Sequence, residues 1–249
     1  MNTNNKNKIK TRLFVNTNFL EENSFITIDG SAFHHLNVLR IKLLDYISVF
    51  NAYGEFLAQI TSINKKEATI KVLHLIKSAK SKKFNLHLAY APLKKDANDY
   101  ALEKATEVGV NEITQIITKN TVNKPIDVDK ITQKVILATQ QCERLDIPQV
   151  NLSINLEKFL ETHKNKLIFW LYERGSDSTL SQYLLENKTQ EFKDVIFLIG
   201  PEGGFAESEI NLLNSLNFVK QVHLNTNILR AETACVASLI NFQVISCNF

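Results

Sequence analysis

No apolar run in the 249 residues is long enough to cross a bilayer as a helix, so a chain anchored by spanning helices is excluded. Residues 1–12 are polar and basic and lack the apolar stretch of a secretory leader, which makes the cytoplasm the expected compartment. Cysteine is scarce. Cys142, Cys235 and Cys247 are an odd number with no CxxC spacing and no paired histidines nearby, so a disulfide framework and a zinc site are both unsupported. They read as packed thiols. His34 and His35 are adjacent, and neighbours on a helix diverge by about 100°, so the pair does not share one metal ion; one is expected packed, the other exposed. A Walker loop is missing because no Gly-Lys-Ser/Thr follows the glycines, and a GxGxxG is missing too. Asp127, Asp129 and Asp146 are scattered, and no Ser/His/Asp order stands out. There is no internal repeat.

What the chain does have is 44% hydrophobic residues beside 22% charged ones, enough to bury a core in one large or two small domains. Net charge is only +3, yet basic residues bunch at Lys6, Lys8, Lys10 and Arg12, and again at Lys77, Lys80, Lys82, Lys83, Lys94 and Lys95. Such clusters are either solvated surface or a track for a polyanion. Apolar stretches at 13–15, 25–28, 47–50, 56–60 and 68–76, broken by Asp29-Gly30, Asn51-Ala-Tyr-Gly54 and Asn64-Lys65-Lys66, predict a small β-barrel over residues 1–77. One helix interrupts it, with Ser31 as N-cap and Phe33, Leu36, Val38 and Leu39 on an apolar face. Residues 78–83 read as a linker. Over 84–249, strands (85–90, 112–118, 167–172, 195–199, 219–224) alternate with helices (97–108, 129–143, from 206 and from 231). Alternation of this kind predicts an α/β domain with a mostly parallel sheet covered by helices.

Two segments carry the chemistry. In Leu198-Ile-Gly-Pro-Glu-Gly-Gly-Phe205 a buried strand stops at Gly200, and a helix with Glu207 and Glu209 in its first turn begins beyond Ala206. In Leu224-Asn-Thr-Asn-Ile-Leu-Arg-Ala-Glu-Thr-Ala234 a polar turn runs into a small-residue helix. Ligands of open α/β sheets bind at such strand ends. A tight turn with no ligand fits the first segment equally well. By themselves the residues give a barrel, a ligand-binding α/β domain, basic flanks and no metal, with the reaction unspecified.

Six ordered stretches narrow it: Arg12-Leu-Phe-Val15, His34-His-Leu-Asn-Val-Leu-Arg40, Lys104-Ala-Thr-Glu-Val-Gly-Val110, Gln141-Cys-Glu-Arg144 with Pro148, Leu198 to Phe205, and Ile228-Leu-Arg-Ala-Glu-Thr-Ala234. Over nearly its whole length the chain resembles the RsmE family of 16S ribosomal RNA uracil-N3 methyltransferases, in the SPOUT superfamily. The resemblance implies a PUA-like RNA-binding β-barrel followed by an α/β SPOUT methyltransferase domain with a C-terminal trefoil knot. It also implies S-adenosylmethionine as cofactor, a homodimer, and 16S ribosomal RNA or the small ribosomal subunit as partner. Knotted backbones are rare, so the knot rests on the resemblance alone.

Carried onto this sequence, the cofactor-binding set is Leu171, Tyr172, Leu198, Ile199, Gly200, Pro201, Glu202, Gly203, Leu224, Asn225, Ile228 and Leu229. Four positions depart from the family pattern. Asn225 and Asn227 stand where Gly and a basic residue are usual, Asn120 where Arg is, and Gln140 where Glu is. Asn tolerates the left-handed region, so the turn at 225–227 is expected to survive. Arg230 could stabilise the oxyanion that develops on uracil, and Glu232 could accept the N3 proton or orient Arg230. Alternatively the two form an internal ion pair at the helix N-terminus. Arg12, Arg40, Lys94, Lys95 and Arg144 are the candidates for holding RNA phosphate while the base is extruded. Two other readings stay open: ribose 2′-O-methylation of RNA on the same fold, and an RNA-binding assembly factor without catalysis.

Overall fold

A computed structural model of the chain describes residues 8–17, 19–79, 83–173, 178–187 and 192–246. Cys247, Lys6, Lys80 and Lys82 lie outside them. Two compact units emerge: the described residues of Met1–Ser81 joined by Thr139–Ile147, and those of Lys82–Ala138 with Pro148–Phe249.

The first unit is a five-stranded sheet. Its elements are β1 (Ile9–Phe14), β2 (Phe25–Ile28), helix α1 (Gly30–Val38), β3 (Tyr46–Asn51), β4 (Gly54–Ile63) and β5 (Ala68–Ser78), and its strand order is β1-β3-β4-β5-β2. β1 and β3 run parallel; the other pairs are antiparallel. Period-two patterning explains which way each strand faces: Ala68, Ile70 and Val72 of β5 are buried while Thr69 and Lys71 between them are not. They meet Leu13, Ile47, Val49, Ala58 and Ile60 and, from α1, Phe33 and Leu36 in one core. The turn from β3 to β4 closes on Asn51, whose Oδ1 accepts from the Tyr53 and Gly54 amides at 3.0 and 3.2 Å.

Helix α1 departs from expectation at both ends. Its N-cap is Asp29 rather than Ser31, because Gly30 takes a left-handed φ of 53° that turns the chain into the helix one residue earlier. At the other end Val38 and Leu39 are exposed, leaving Phe33 and Leu36 as the buried pair. His34 is exposed and His35 half-buried against Thr11.

Thr139–Ile147 belongs to this unit through Arg12. The Arg12 Nη1 donates to the carbonyls of Thr139 (3.1 Å) and Gln140 (3.4 Å), and Nη2 donates to that of Arg144 (2.7 Å). Its Nε lies 3.1 Å from Glu55, and its guanidinium carbon sits 3.5 Å from the Phe50 ring centroid. Gln140 returns its amide oxygen to the Phe14 N–H.

The second unit comprises β6 (Asn85–Tyr90), α2 (Lys95–Val108), β7 (Glu112–Ile117), α3 (Val128–Gln141, its last residues in the first unit), β8 (Gln149–Val150), β9 (Ile154–Asn155), α4 (Leu156–Thr162), β10 (Leu167–Leu171), α5 (Leu180–Glu186), β11 (Asp194–Ile199), α6 (Glu207–Ser215), β12 (Val219–Val222) and α7 (Ala231–Ser246). Strands line up as β12-β10-β11-β6-β7-β8, with β9 also on β7, and every pair is parallel. A parallel sheet hides both faces, and its central strands are continuously apolar, as in Leu167-Ile-Phe-Trp-Leu171. On one face α4 and α6 bring Phe159, Leu160 and Leu213 onto Ile168, Trp170, Ile196 and Leu198. On the other, α7 packs on β6 and β11 and against α2 and α5, with Phe242 edge-on to both Phe84 and Phe197. No helix among the described residues is long and apolar enough to cross a membrane.

Candidate active site

Three central strands, β6, β11 and β10, end side by side, with Tyr90 beside Ile199 and Ile199 beside Leu171 in register. A cleft of about 500 Å³ opens at these carboxyl ends, within the volume range of small-molecule sites. Its wall is Leu171 and Tyr172 after β10, Ile199 with residues 200–202, 204 and 205 after β11, and residues 228–232 leading into α7, with Lys94 at the start of α2. A smaller recess beside it is lined by His223, Leu224, Asn225 and Asn227.

Backbone shape follows from the residues. Gly204 accepts a left-handed φ of 69° and its N–H closes a turn on the Pro201 carbonyl at 2.8 Å. At Gly200 a side chain is barred for a different reason: a Cβ there would stand 2.6 Å from the Phe205 ring, itself edge-on to Trp170. Gly203 has neither constraint, since its nearest neighbour would be Asn120 at 3.6 Å. Behind β10, the Trp170 and Tyr172 rings stack with centroids 4.6 Å apart, which sets the direction of the strand end. Beneath the cleft the Tyr90 hydroxyl donates to Asn98 Oδ1 at 2.8 Å, and burial pushes its ionisation far above the ordinary phenol range. Burial does the same to the Cys235 thiol in α7, with nearby Glu232 adding to it, so that thiol is a packing group.

The structure thus collects most of the residues expected from sequence into one place. Leu171, Tyr172, Ile199, Gly200, Pro201, Glu202, Leu224, Asn225, Ile228, Leu229, Arg230, Glu232 and Lys94 all line the cleft or its recess. Leu198 is fully buried in the core and Gly203 faces outward, so neither forms the wall. Arg230 is exposed and Glu232 half-buried, and among the described residues no ion pair links them. Asn225 and Asn227 keep negative φ, so the turn there owes nothing to left-handed tolerance. The lining also takes in Ala97, Glu173, Phe205 and His223, which sequence reasoning missed. Phe205 alone carried a signal, as the aromatic closing the glycine motif.

Of the basic residues, Arg40 is exposed at a left-handed φ of 52°, and Lys94 and Lys95 are exposed at the start of α2. Arg12 is spent on the internal partners described above. Arg144 is tied to Asp146 with Nη2 at 2.6 Å from Oδ2 and is nearly buried. Among the described residues there is no group of three metal-ligating side chains.

Residues 80–243 match the model of an RNA methyltransferase domain and residues 28–73 that of an RNA methyltransferase PUA domain. Ribosomal RNA small subunit methyltransferase E of Rickettsia conorii is 32% identical over 94% of this chain and 95% of its own length. That of Mesomycoplasma hyopneumoniae is 33% identical over 90% and 95%. Among solved structures, ribosomal RNA small subunit methyltransferase E from Neisseria gonorrhoeae, bound to S-adenosylmethionine, superposes with a TM-score of 0.81 at 25% identity, covering 94% of this chain and 97% of that one. A Legionella pneumophila protein holding the same cofactor gives 0.84 at 26%, with the same coverage. With an RNA methyltransferase model over most of its length, and relatives above 30% identity matched end to end, this chain belongs to the ribosomal RNA small subunit methyltransferase E family.

Proposed function

We propose that this protein transfers a methyl group from S-adenosylmethionine to N3 of one uracil near the 3′ end of 16S ribosomal RNA, in the cytoplasm. The observation that carries the reading is the cleft at the carboxyl edge of the parallel sheet, walled by backbone turns and aliphatic side chains, with an arginine and a glutamate free of mutual pairing at its rim. Its lining suits that cofactor: Leu171, Ile199, Ile228 and Leu229 offer apolar contact to a planar base, and the main chain of residues 200–202 offers polar groups beside them. When bound, the cofactor supplies an electrophilic methyl group on a cationic sulfur.

Uracil N3 is a weak acid, and its anion is the nucleophile. As the proton leaves, negative charge spreads to O2 and O4, and Arg230 at the rim is placed to stabilise it. Glu232, unpaired with Arg230, takes the proton. The base must leave its stack to reach the cleft, so the RNA backbone needs a separate hold. Exposed Arg40, Lys94 and Lys95 provide it, whereas Arg12 and Arg144 hold the first unit together instead.

Finer features of the fold support the same reading. Bulges along the β4–β5 ladder bend the first sheet toward a PUA-like barrel. The segment after β12 pairs with the one after β10, through a parallel bridge of Thr179 to His223 and a 2.9 Å bond from Leu180 N–H to the His223 carbonyl, a closeness that suits a trefoil knot. Helix α7 is rich in apolar residues, and its exposed Ile240 and Val244 suit a homodimer.

Small subunits lacking the modification, incubated with this protein and S-adenosylmethionine, should gain one cofactor-dependent reverse-transcription stop beside a uridine, because a methyl on N3 removes a pairing donor. Digestion and mass spectrometry should identify 3-methyluridine. A methyl on any other atom overturns the N3 assignment, and no methylation of subunits or naked RNA overturns the enzyme reading.

A further inference from the structure

Outside the cleft wall, one set of contacts bears directly on its glycine turn. The segment joining β7 to α3 meets residues 203 and 204 through hydrogen bonds. The Asn120 Nδ2 donates to the Gly204 carbonyl at 3.1 Å and to the Gly203 carbonyl at 3.4 Å. Both partners are carbonyl oxygens, so the amide's orientation is fixed by chemistry: reversed, it would aim oxygen at oxygen. One residue earlier, the Lys119 N–H donates to Glu209 Oε1 at 2.8 Å. The other carboxylate oxygen, Oε2, accepts from the Ala206 N–H at 2.8 Å and so caps α6. Glu209 is 2% exposed, a buried charge whose two oxygens are both held by backbone donors. The segment is itself rigid, since Thr121 Oγ1 accepts from the Thr118 N–H at 2.9 Å and the Ile126 N–H is held by Gln115 Oε1 at 2.8 Å.

We infer that Asn120, with Glu209 as its anchor, is a positioning residue that sets the cofactor affinity of the glycine turn without touching the cofactor; this rests on the reading of the cleft as an S-adenosylmethionine site. The reasoning is mechanical. Gly203 and Gly204 have no side chains of their own to fix the turn, and Gly203 is free of close neighbours apart from Asn120. Glycine carries the largest conformational freedom of any residue, so an untethered turn would have to be ordered at the moment of binding. Asn120 orders it beforehand by gripping both carbonyls from behind. That leaves the residues on the front, Gly200, Pro201 and Glu202, facing the cleft.

The test is a series at one exposed position, read by calorimetric titration of the full-length protein with S-adenosylmethionine and, in parallel, with S-adenosylhomocysteine. Asn120→Ala removes the donors and should weaken both ligands by about tenfold, the worth of one to two hydrogen bonds. Asn120→Asp points only acceptors at two carbonyls and should weaken them further. Asn120→Arg restores donors of the same kind and should recover most of the affinity. Melting temperature should stay nearly level across the series, so a merely structural role would not produce the affinity order. The KM for cofactor should rise while the KM for RNA holds. Ser208→Ala, which removes only the Lys119 Nζ contact, should change nothing. If the wild type binds the cofactor and the three variants bind it equally well, the positioning role is wrong while the cleft assignment stands. If the wild type does not bind it, the cleft assignment itself fails.

Discussion

The two edges of the parallel sheet are built from the same strands and could hardly differ more. At the carboxyl edge the chain is turned by glycines, polar side chains stand free at a rim, and a cleft opens. At the amino edge a closed polar network fills the space. His87 of β6, 1% exposed, holds Thr114 at 2.7 Å through Nε2, and Thr114 is also bonded by Asn151. Glu112 of β7 lies 3.5 Å from His87 Nδ1 and accepts from Asn85 at 2.7 Å, with Lys166 and Asp194 completing the ring of charges. His163 and Phe159 close it from α4 and the turn beyond. Polar groups at one edge are kept available; at the other they are turned on one another, with His87 Nδ1 facing Glu112 at 3.5 Å without a hydrogen bond. The buried titratable group and the cleft are thereby assigned to opposite ends of the same strands, so the pH response and binding can be perturbed separately.

The largest expected effect breaks the carboxyl edge alone. Gly200→Val forces carbon into the Phe205 ring and should raise the dissociation constant for S-adenosylmethionine by about a hundredfold or more, while leaving the pH dependence of stability unchanged. Titration calorimetry on variant and wild type checks it, and equal affinity would separate the glycine from the site.

Next in size is acid loss of stability at the amino edge. Burial lowers the His87 pKa to about 4, with Glu112 opposing the shift and His163 and Lys166 adding to it. Below the unfolded-state value of 6.5 the unfolded chain binds a proton that the folded chain refuses. Stability is therefore whole above pH 6.5 and lost as pH falls toward 4, by about 2 kcal/mol at pH 5 from this group. Denaturant titrations at pH 7.5 and pH 5 measure it. His87→Gln should flatten this slope, and a slope unchanged in the variant would show that other groups carry it. Cofactor affinity at pH 7.5 should not follow His87→Gln.

The smallest effect sharpens the contrast among basic residues. Arg40→Ala should reduce the salt dependence of RNA binding by about one phosphate contact with little change in melting temperature. Arg12→Ala should do the reverse, lowering the melting temperature through its lost carbonyl and carboxylate partners while leaving the salt slope alone. A lower salt slope in Arg12→Ala would return that residue to the RNA surface.

Legibility in the sequence followed how local each cause is. Strands β6, β10 and β11 announce themselves because burial on both faces makes them mostly apolar, and the glycine motif marks the cleft because a side chain at 200 would meet Phe205 and the left-handed φ at 204 favours glycine. Two-residue strands β8 and β9 and seven-residue helices α4 and α5 are too short for any periodicity to declare them. Arg12 reads as surface because it stands among lysines, while the carbonyls that it binds lie more than a hundred residues away in sequence. Asn120 showed only as a departure from the family pattern, and its grip on the glycine turn across 84 residues appears only when the chain is folded.

Because the first unit recruits Thr139–Ile147 from the far side of the methyltransferase sequence, no single cut yields both units whole. Severing the chain near residue 80 strips Arg12 of three carbonyl partners and leaves its nearly buried guanidinium with Glu55 and the Phe50 ring alone. The amino-terminal unit therefore cannot be lifted out of this chain as one continuous piece, and a graft of it must carry the 139–147 segment too.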